Sequence, residues 1–79
     1  MQTLAAFALQ QYAPIVDGII STNSHEVSRI EETLDGMLDF CFFDPMAQLF
    51  RRLCRYYFDI DSNATVSYVN AYREMWDSK

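Results

Sequence analysis

Lysine, histidine, glycine and proline are all scarce in this chain. Lys79 is the only lysine and His25 the only histidine, and glycine, proline and cysteine occur 2 times each. Each shortage excludes something. Cys41 and Cys54 could form one disulfide at most, and their spacing fits neither a metal site nor a disulfide framework. His25-Glu26 has no second histidine four residues on, so it is not a zinc-protease motif. A lone histidine at a helix start reads as a surface residue rather than a general base. With so little glycine and proline there is no linker, repeat or low-complexity stretch. No apolar run approaches the roughly 20 residues of a membrane span. Met1-Gln2-Thr3 carries no positive n-region and does not read as a signal peptide. Nothing supports secretion, so the expected setting is the reducing cytoplasm. Basic groups are few as well: 6 against 11 acidic, a formal charge of −5. That balance argues against broad polyanion binding, although a local basic patch would override it.

What is present points to one helical domain spanning residues 1–79. A chain of 79 residues is at most one domain. At this size it buries only about 60–65% of the surface its unfolded form exposes. It is 51% hydrophobic and 15% aromatic, which can build a tight core. Some large apolar groups should be left at the surface, favouring a protein partner or self-association.

Apolar residues recur at helical spacing throughout and predict an all-α, compact bundle of four short helices. The first runs from about Gln2 to Ile20, with Leu4, Ala8, Tyr12, Ile15 and Ile19 as its inner stripe. Pro14 removes one backbone hydrogen bond and should kink this helix. The stripe keeps its phase across Pro14, so one kinked helix is expected rather than two. Ser21-Thr22-Asn23-Ser24 is the first break. The second helix then runs from about His25 to Cys41, with Val27, Ile30, Leu34, Met37, Leu38 and Cys41 inward. Gly36 falls on its outer face. Glu31, Asp35 and Asp39, joined by Glu32, form an acidic ridge that needs solvent or a basic neighbour. In Asp44-Pro45 the aspartate can cap and the proline suits the first helical position. The third helix follows, from about Pro45 to Phe58, burying Met46, Leu49, Phe50, Leu53 and Tyr57. Asp61 should cap the fourth, from about Ser62 to Trp76. Its stripe is Thr65, Tyr68, Val69, Tyr72, Met75 and Trp76, and its polar face is Ser67, Asn70, Glu74 and Asp77. The short connections favour antiparallel neighbours. Leu34, Leu38, Leu49, Leu53, Val69 and Tyr72 are the expected core.

No catalytic motif, cofactor loop or metal-ligand set stands out, and no small-molecule substrate is indicated. Arg51, Arg52 and Arg55 with Tyr56 form the best candidate binding surface. Guanidiniums on successive turns could grip phosphates, and Tyr56 could stack on a base. The plainer reading is a solvated face neutralised by the acidic ridge, and it carries more weight. A protein partner comes next. Nucleic acid comes last, because three arginines fall short of a binder's basic footprint. Phe40, Phe42 and Phe43 cluster at the end of helix two. Phe42 and Phe43 read as core. Phe40 lies off the main stripe, is hard to bury within one chain, and is the first choice for an interface contact. Both cysteines read as small buried hydrophobes, with Cys54 on a different side of its helix from Arg51 and Arg55.

Three segments carry a resemblance. They are Glu32-Thr33-Leu34-Asp35-Gly36-Met37-Leu38-Asp39-Phe40-Cys41, Arg51-Arg52-Leu53-Cys54-Arg55-Tyr56-Tyr57-Phe58, and Tyr68-Val69-Asn70-Ala71-Tyr72-Arg73-Glu74-Met75-Trp76-Asp77. Across nearly the whole chain the wording resembles small uncharacterised helical proteins carried on conjugative transposons of gut bacteria. The resemblance implies a bacterial cytoplasmic accessory protein and supplies no activity, ligand or site. The expected function is therefore a non-enzymatic interaction module binding a protein partner or itself. The alternative is a nucleic-acid accessory factor acting through the arginine face of helix three.

Asp59-Ile60-Asp61-Ser62-Asn63 also has the opening pattern of a calcium-binding EF-hand loop. Ala64 replaces the turn glycine, and Asn70 replaces the bidentate glutamate. The segment is therefore expected to serve as a helix cap without a cation. Melting with and without millimolar calcium checks this. The midpoint should not move, and a chelator-reversible rise of several degrees would overturn the reading.

Overall fold

The computed structural model describes residues 3–76. Four helices fold there in an all-α bundle: α1 Leu4–Ser21, α2 Val27–Leu38, α3 Asp44–Phe58 and α4 Ser62–Trp76. No strand occurs among the described residues. None of the described helices is long and apolar enough to cross a membrane. The body is flattened, with extents of 36 × 30 × 16 Å. The helix α3 packs against all three others, and α1 also packs on α2.

Local chemistry sets most boundaries. Thr3 caps α1, its Oγ1 accepting from Ala6 N at 3.1 Å, and the expected start at Gln2 lies outside the described residues. The helix runs unbroken through Pro14, which sits on the exposed side. It ends where Thr22 donates back to Gly18 O and Asn23 takes the left-handed conformation at φ 51°, which asparagine tolerates better than most side chains. α2 is shorter than its apolar pattern, starting at Val27 rather than His25 and ending at Leu38 rather than Cys41. Residues 39–43 form turns instead, with Phe40 N bonded to Met37 O and Cys41 N to Leu38 O. Phe43, not Asp44, is the N-cap of α3, and Asp44 is its first helical residue. There its carboxylate still lies beside the unpaired N–H groups and the positive end of the helix dipole. Asp61 caps α4 as expected, with Oδ1 accepting from Ala64 N at 3.0 Å.

The core gathers on α3, where Met46, Leu49, Phe50, Leu53 and Tyr57 are all buried, joined by Ala47 and Cys54. Around them stand Ala8, Val16 and Ile19 from α1 and Ile30, Leu34, Met37 and Cys41 from the α2 side. Several expected core positions move outward. Leu4 is 73% exposed, while Ala5 and Val16 are buried in its stead. The buried face of α1 is thus turned toward Ala5, Ala8, Val16 and Ile19, leaving Tyr12 and Ile15 half-buried. Val27 is exposed at the start of α2, and Leu38 is only half-buried at its end. Val69 is 38% exposed and Tyr72 half-buried. Met75 and Trp76 are exposed too, because α4 packs chiefly on α3 and reaches α2 only through side chains such as Tyr68 and Trp76.

Gly36 corrects another expectation. It does not face solvent: α1 crosses α2 there, and Tyr12 lies on it. A Cβ at position 36 would intrude on Tyr12 Oη and stand 2.8 Å from Cζ. The missing side chain is what lets the tyrosine ring reach α2. Gly36→Ala should therefore destabilise the native protein by about 1–2 kcal/mol, as overpacking outweighs the gain in helix propensity. In a Tyr12→Ala background the same change should stabilise by up to about 1 kcal/mol. Chemical denaturation of the four proteins measures the cycle, and a Gly36→Ala effect of the same sign in both backgrounds would refute the contact.

Candidate functional site: the groove between α3 and α4

The turn Asp59–Asp61 reverses the chain tightly, with Ile60 N and Asp61 N both donating to Tyr57 O. α4 therefore returns antiparallel along α3. Phe50 and Tyr72 stack at the far end of the pair, ring centroids 5.7 Å apart and planes 20° apart. Between that stack and the turn the facing side chains are small: Cys54 on α3, Thr65 and Val69 on α4. Small groups on both walls underfill the seam and leave a groove of about 510 Å³, which Phe58 flanks near the turn. That volume is in the range of ligand sites.

Charge collects on the rim. Arg51, Arg55 and Arg73 all line the groove, so it holds three of the chain's 6 basic residues. Asp59 lies at the turn end. Arg51 is held in place, its Nη2 donating to Tyr72 Oη at 3.2 Å and its guanidinium 5.5 Å from the centre of that ring. The second contact has cation–π geometry. The single ion pair among the described residues joins Arg52 to Asp17 at 2.6 Å, with both side chains more than half exposed. At that exposure the pair contributes little stability.

The expected arginine face is thus divided. Arg51 and Arg55 belong to the groove, and Arg52 turns to α1. The acidic ridge of α2 is not its counter-ion. Tyr56, expected to stack on a base, is half-buried and donates its hydroxyl to Ser24 O at 2.8 Å. One ridge member, Glu31, instead holds a tyrosine. The buried Tyr57 donates to Glu31 Oε2 at 2.7 Å. Burial and the Glu31 carboxylate raise its pKa well above the ordinary phenol range. Tyr68 is shifted the same way by burial and by Asp35.

The phenylalanine assignments reverse. Phe40 packs half-buried against the core, and Phe42 is 60% exposed. Phe42 meets Trp76 with ring centroids 5.6 Å apart, while Trp76 Nε1 donates to Leu38 O at 2.8 Å. Early termination of α2 is the cause. Once the chain leaves the helix at Asp39, helical phase no longer dictates where Phe40 and Phe42 point. Phe43 is half-buried as part of the core margin. Asp77, expected on the polar face of α4, lies outside the described residues.

Arg73, Phe58 and the open flank of Val69 were missed as site components. Counting along the chain gives no signal for them, because Arg51 and Arg73 lie at unequal distances from the Asp59–Asp61 turn and meet only through the way α4 packs on α3. Cys54 lines the same groove, yet it is buried as expected while Arg51 and Arg55 are exposed. Comparison with family models, curated proteins and solved structures finds no match to this chain.

Both thiols are buried. Desolvation raises Cys54 to about 12, with Cys41 adding to the rise, and raises Cys41 to about 12 against an opposing pull from Arg51. In the unfolded chain a thiol ionises near 8.5. Folding stability should therefore be fully present below about pH 8 and fall as pH rises toward 12, since only the unfolded chain releases those protons. The native thiols should also react with Ellman's reagent at pH 8 far more slowly than thiols in urea. Fast stoichiometric labelling of the folded protein would contradict the burial.

Proposed function

We propose that this protein is a non-enzymatic interaction module that binds a protein partner through the α3–α4 groove. The observation that carries the reading is the gathering of Arg51, Arg55 and Arg73 around an apolar groove in a chain of net charge −5. An apolar floor supplies anchor sites and a charged rim supplies orientation and on-rate. The groove carries guanidiniums, aromatic rings and aliphatic groups, with Asp59 as its lone carboxylate. It offers no nucleophile activated by a base, which supports binding rather than catalysis. The resemblance to mobile-element proteins supports a role as a bacterial cytoplasmic accessory factor. Phe40, half-buried, passes its proposed anchor role to Val69 and Phe58.

Nucleic-acid binding is the weaker reading. Arg52 is engaged by Asp17 and Tyr56 by Ser24, so the stacking ring and one guanidinium of the expected surface are occupied. Three arginines support a log–log salt slope of at most about −3 on duplex DNA.

Pull-down from a bacterial host, paired with a salt-titrated gel shift, tests the reading. A partner should be retained by native protein and by Arg52→Ala, and lost with Val69→Asp, all three proteins melting alike. Nucleic-acid binding should be negligible at about 0.15 M salt. Retention of the partner by Val69→Asp would remove the groove from the reading. Micromolar nucleic-acid affinity lost with Arg51, Arg52 and Arg55 would reverse it.

A further inference from the structure

We infer that the α3–α4 groove accepts an acidic amphipathic helix from another protein, apolar residues on its floor and carboxylates on Arg51 and Arg55. The inference rests on the groove being the interaction surface and names what fills it.

Length and shape favour a helix. From Phe50 to Phe58 the α3 wall runs about 12 Å at 1.5 Å per residue. That is the span of apolar anchors at i, i+4 and i+7 on a partner helix, the spacing by which helices seat in apolar grooves. Both walls are helical, so their backbone groups are bonded internally and offer an extended peptide no edge to pair with.

Charge favours an acidic ligand. Arg51 and Arg55 stand one turn apart on α3, have no carboxylate partner among the described residues, and sit beside Arg73 across the groove. Carboxylates three or four apart on the incoming helix share that spacing. The bond to Tyr72 fixes Arg51 before the ligand arrives, reducing the ordering cost of binding. Asp59 at the turn end sets polarity: the ligand's acidic residues belong at the Phe50–Tyr72 end.

A second copy is the weaker occupant. Exposed carboxylates at Glu32 and Asp35 on α2, and at Asp39 just past its end, could meet the arginines. The apolar residues of that helix face inward, however, and Val27 at its first position is the exposed exception. The ridge would bring charge without anchors.

Fluorescence anisotropy with two labelled designed helical peptides tests the inference at about 0.15 M salt. Both carry leucines at i, i+4 and i+7. One carries glutamates and the other lysines at the flanking positions. The native protein should bind the acidic peptide at least tenfold more tightly than the basic one. An Arg51→Glu/Arg55→Glu variant, checked for native melting, should reverse the order, and Arg52→Glu should leave it unchanged. Equal affinity for the two peptides, absence of binding by either, or an order unchanged in the double variant would overturn the inference. So would a native dimer in light scattering that the double variant dissociates, because a second copy would then be the occupant. A host partner lost with Val69→Asp, together with no preference for the acidic peptide, would leave the groove reading standing and this inference refuted. Retention of both host partner and acidic peptide by Val69→Asp would refute both.

Discussion

The arrangement depends on α3 being covered by α1, α2 and α4 at once. A helix packed on three flanks buries residues that a simple amphipathic stripe would leave half wet, and α3 buries Ala47 and Cys54 beside its main stripe. The tightest point is Tyr57, fully buried with a polar hydroxyl. An unpaired hydroxyl there would cost about 1–3 kcal/mol, and Glu31 from α2 accepts its hydrogen bond. That bond gives one member of the acidic ridge a structural duty and links α2 to the central helix. Tyr68 of α4 reaches the same stretch of α2 through a long contact to Glu31 O.

With three flanks taken, only one side of α3 is left for charge. Arg51, Arg52 and Arg55 are confined to it, and the neighbours they meet are decided by the helices on either edge. On the α1 edge Arg52 finds Asp17. On the α4 edge Arg51 and Arg55 find Tyr72 and Arg73 instead of a carboxylate. An acidic protein thereby carries a locally positive apolar groove. Its floor stays open because Cys54, Thr65 and Val69 are too small to fill the space between helices separated at one end by stacked aromatic rings. A groove formed this way belongs to the packing of two rigid helices, which suits it to select a partner by shape and sign of charge together.

The helical alternation of apolar and polar residues was legible wherever a helix is long and meets its neighbour squarely. All five inward assignments on α3 are buried, and the Asp61 cap stands where its residue type indicated. Assignments failed where the helix stops or has one neighbour. Phe40 and Phe42 exchanged roles because α2 ends at Leu38, before either of them. Leu4 yielded to Ala5, since in the first turn of a helix the hydrophobicity of one residue weighs less than the angle at which α1 crosses its neighbours. Gly36 read as an outer position because a glycine contributes nothing to a hydrophobic stripe, while its use is steric and needs Tyr12 from another helix to become visible. Val69 read as core because a stripe specifies an apolar face without specifying that anything covers it.

By itself, then, the sequence determined four helices, the faces of the central one, the cap at Asp61 and the burial of both thiols, because propensity, periodicity and capping act within a few residues along the chain. Tertiary structure alone decided that Arg73 joins Arg51 and Arg55, that Arg52 leaves them for Asp17, that Tyr56 is engaged by Ser24, and that a groove opens over Cys54. Those outcomes depend on side chains from helices distant in sequence meeting at particular angles. No local pattern of residues encodes such angles; they follow from how whole helix surfaces fit together.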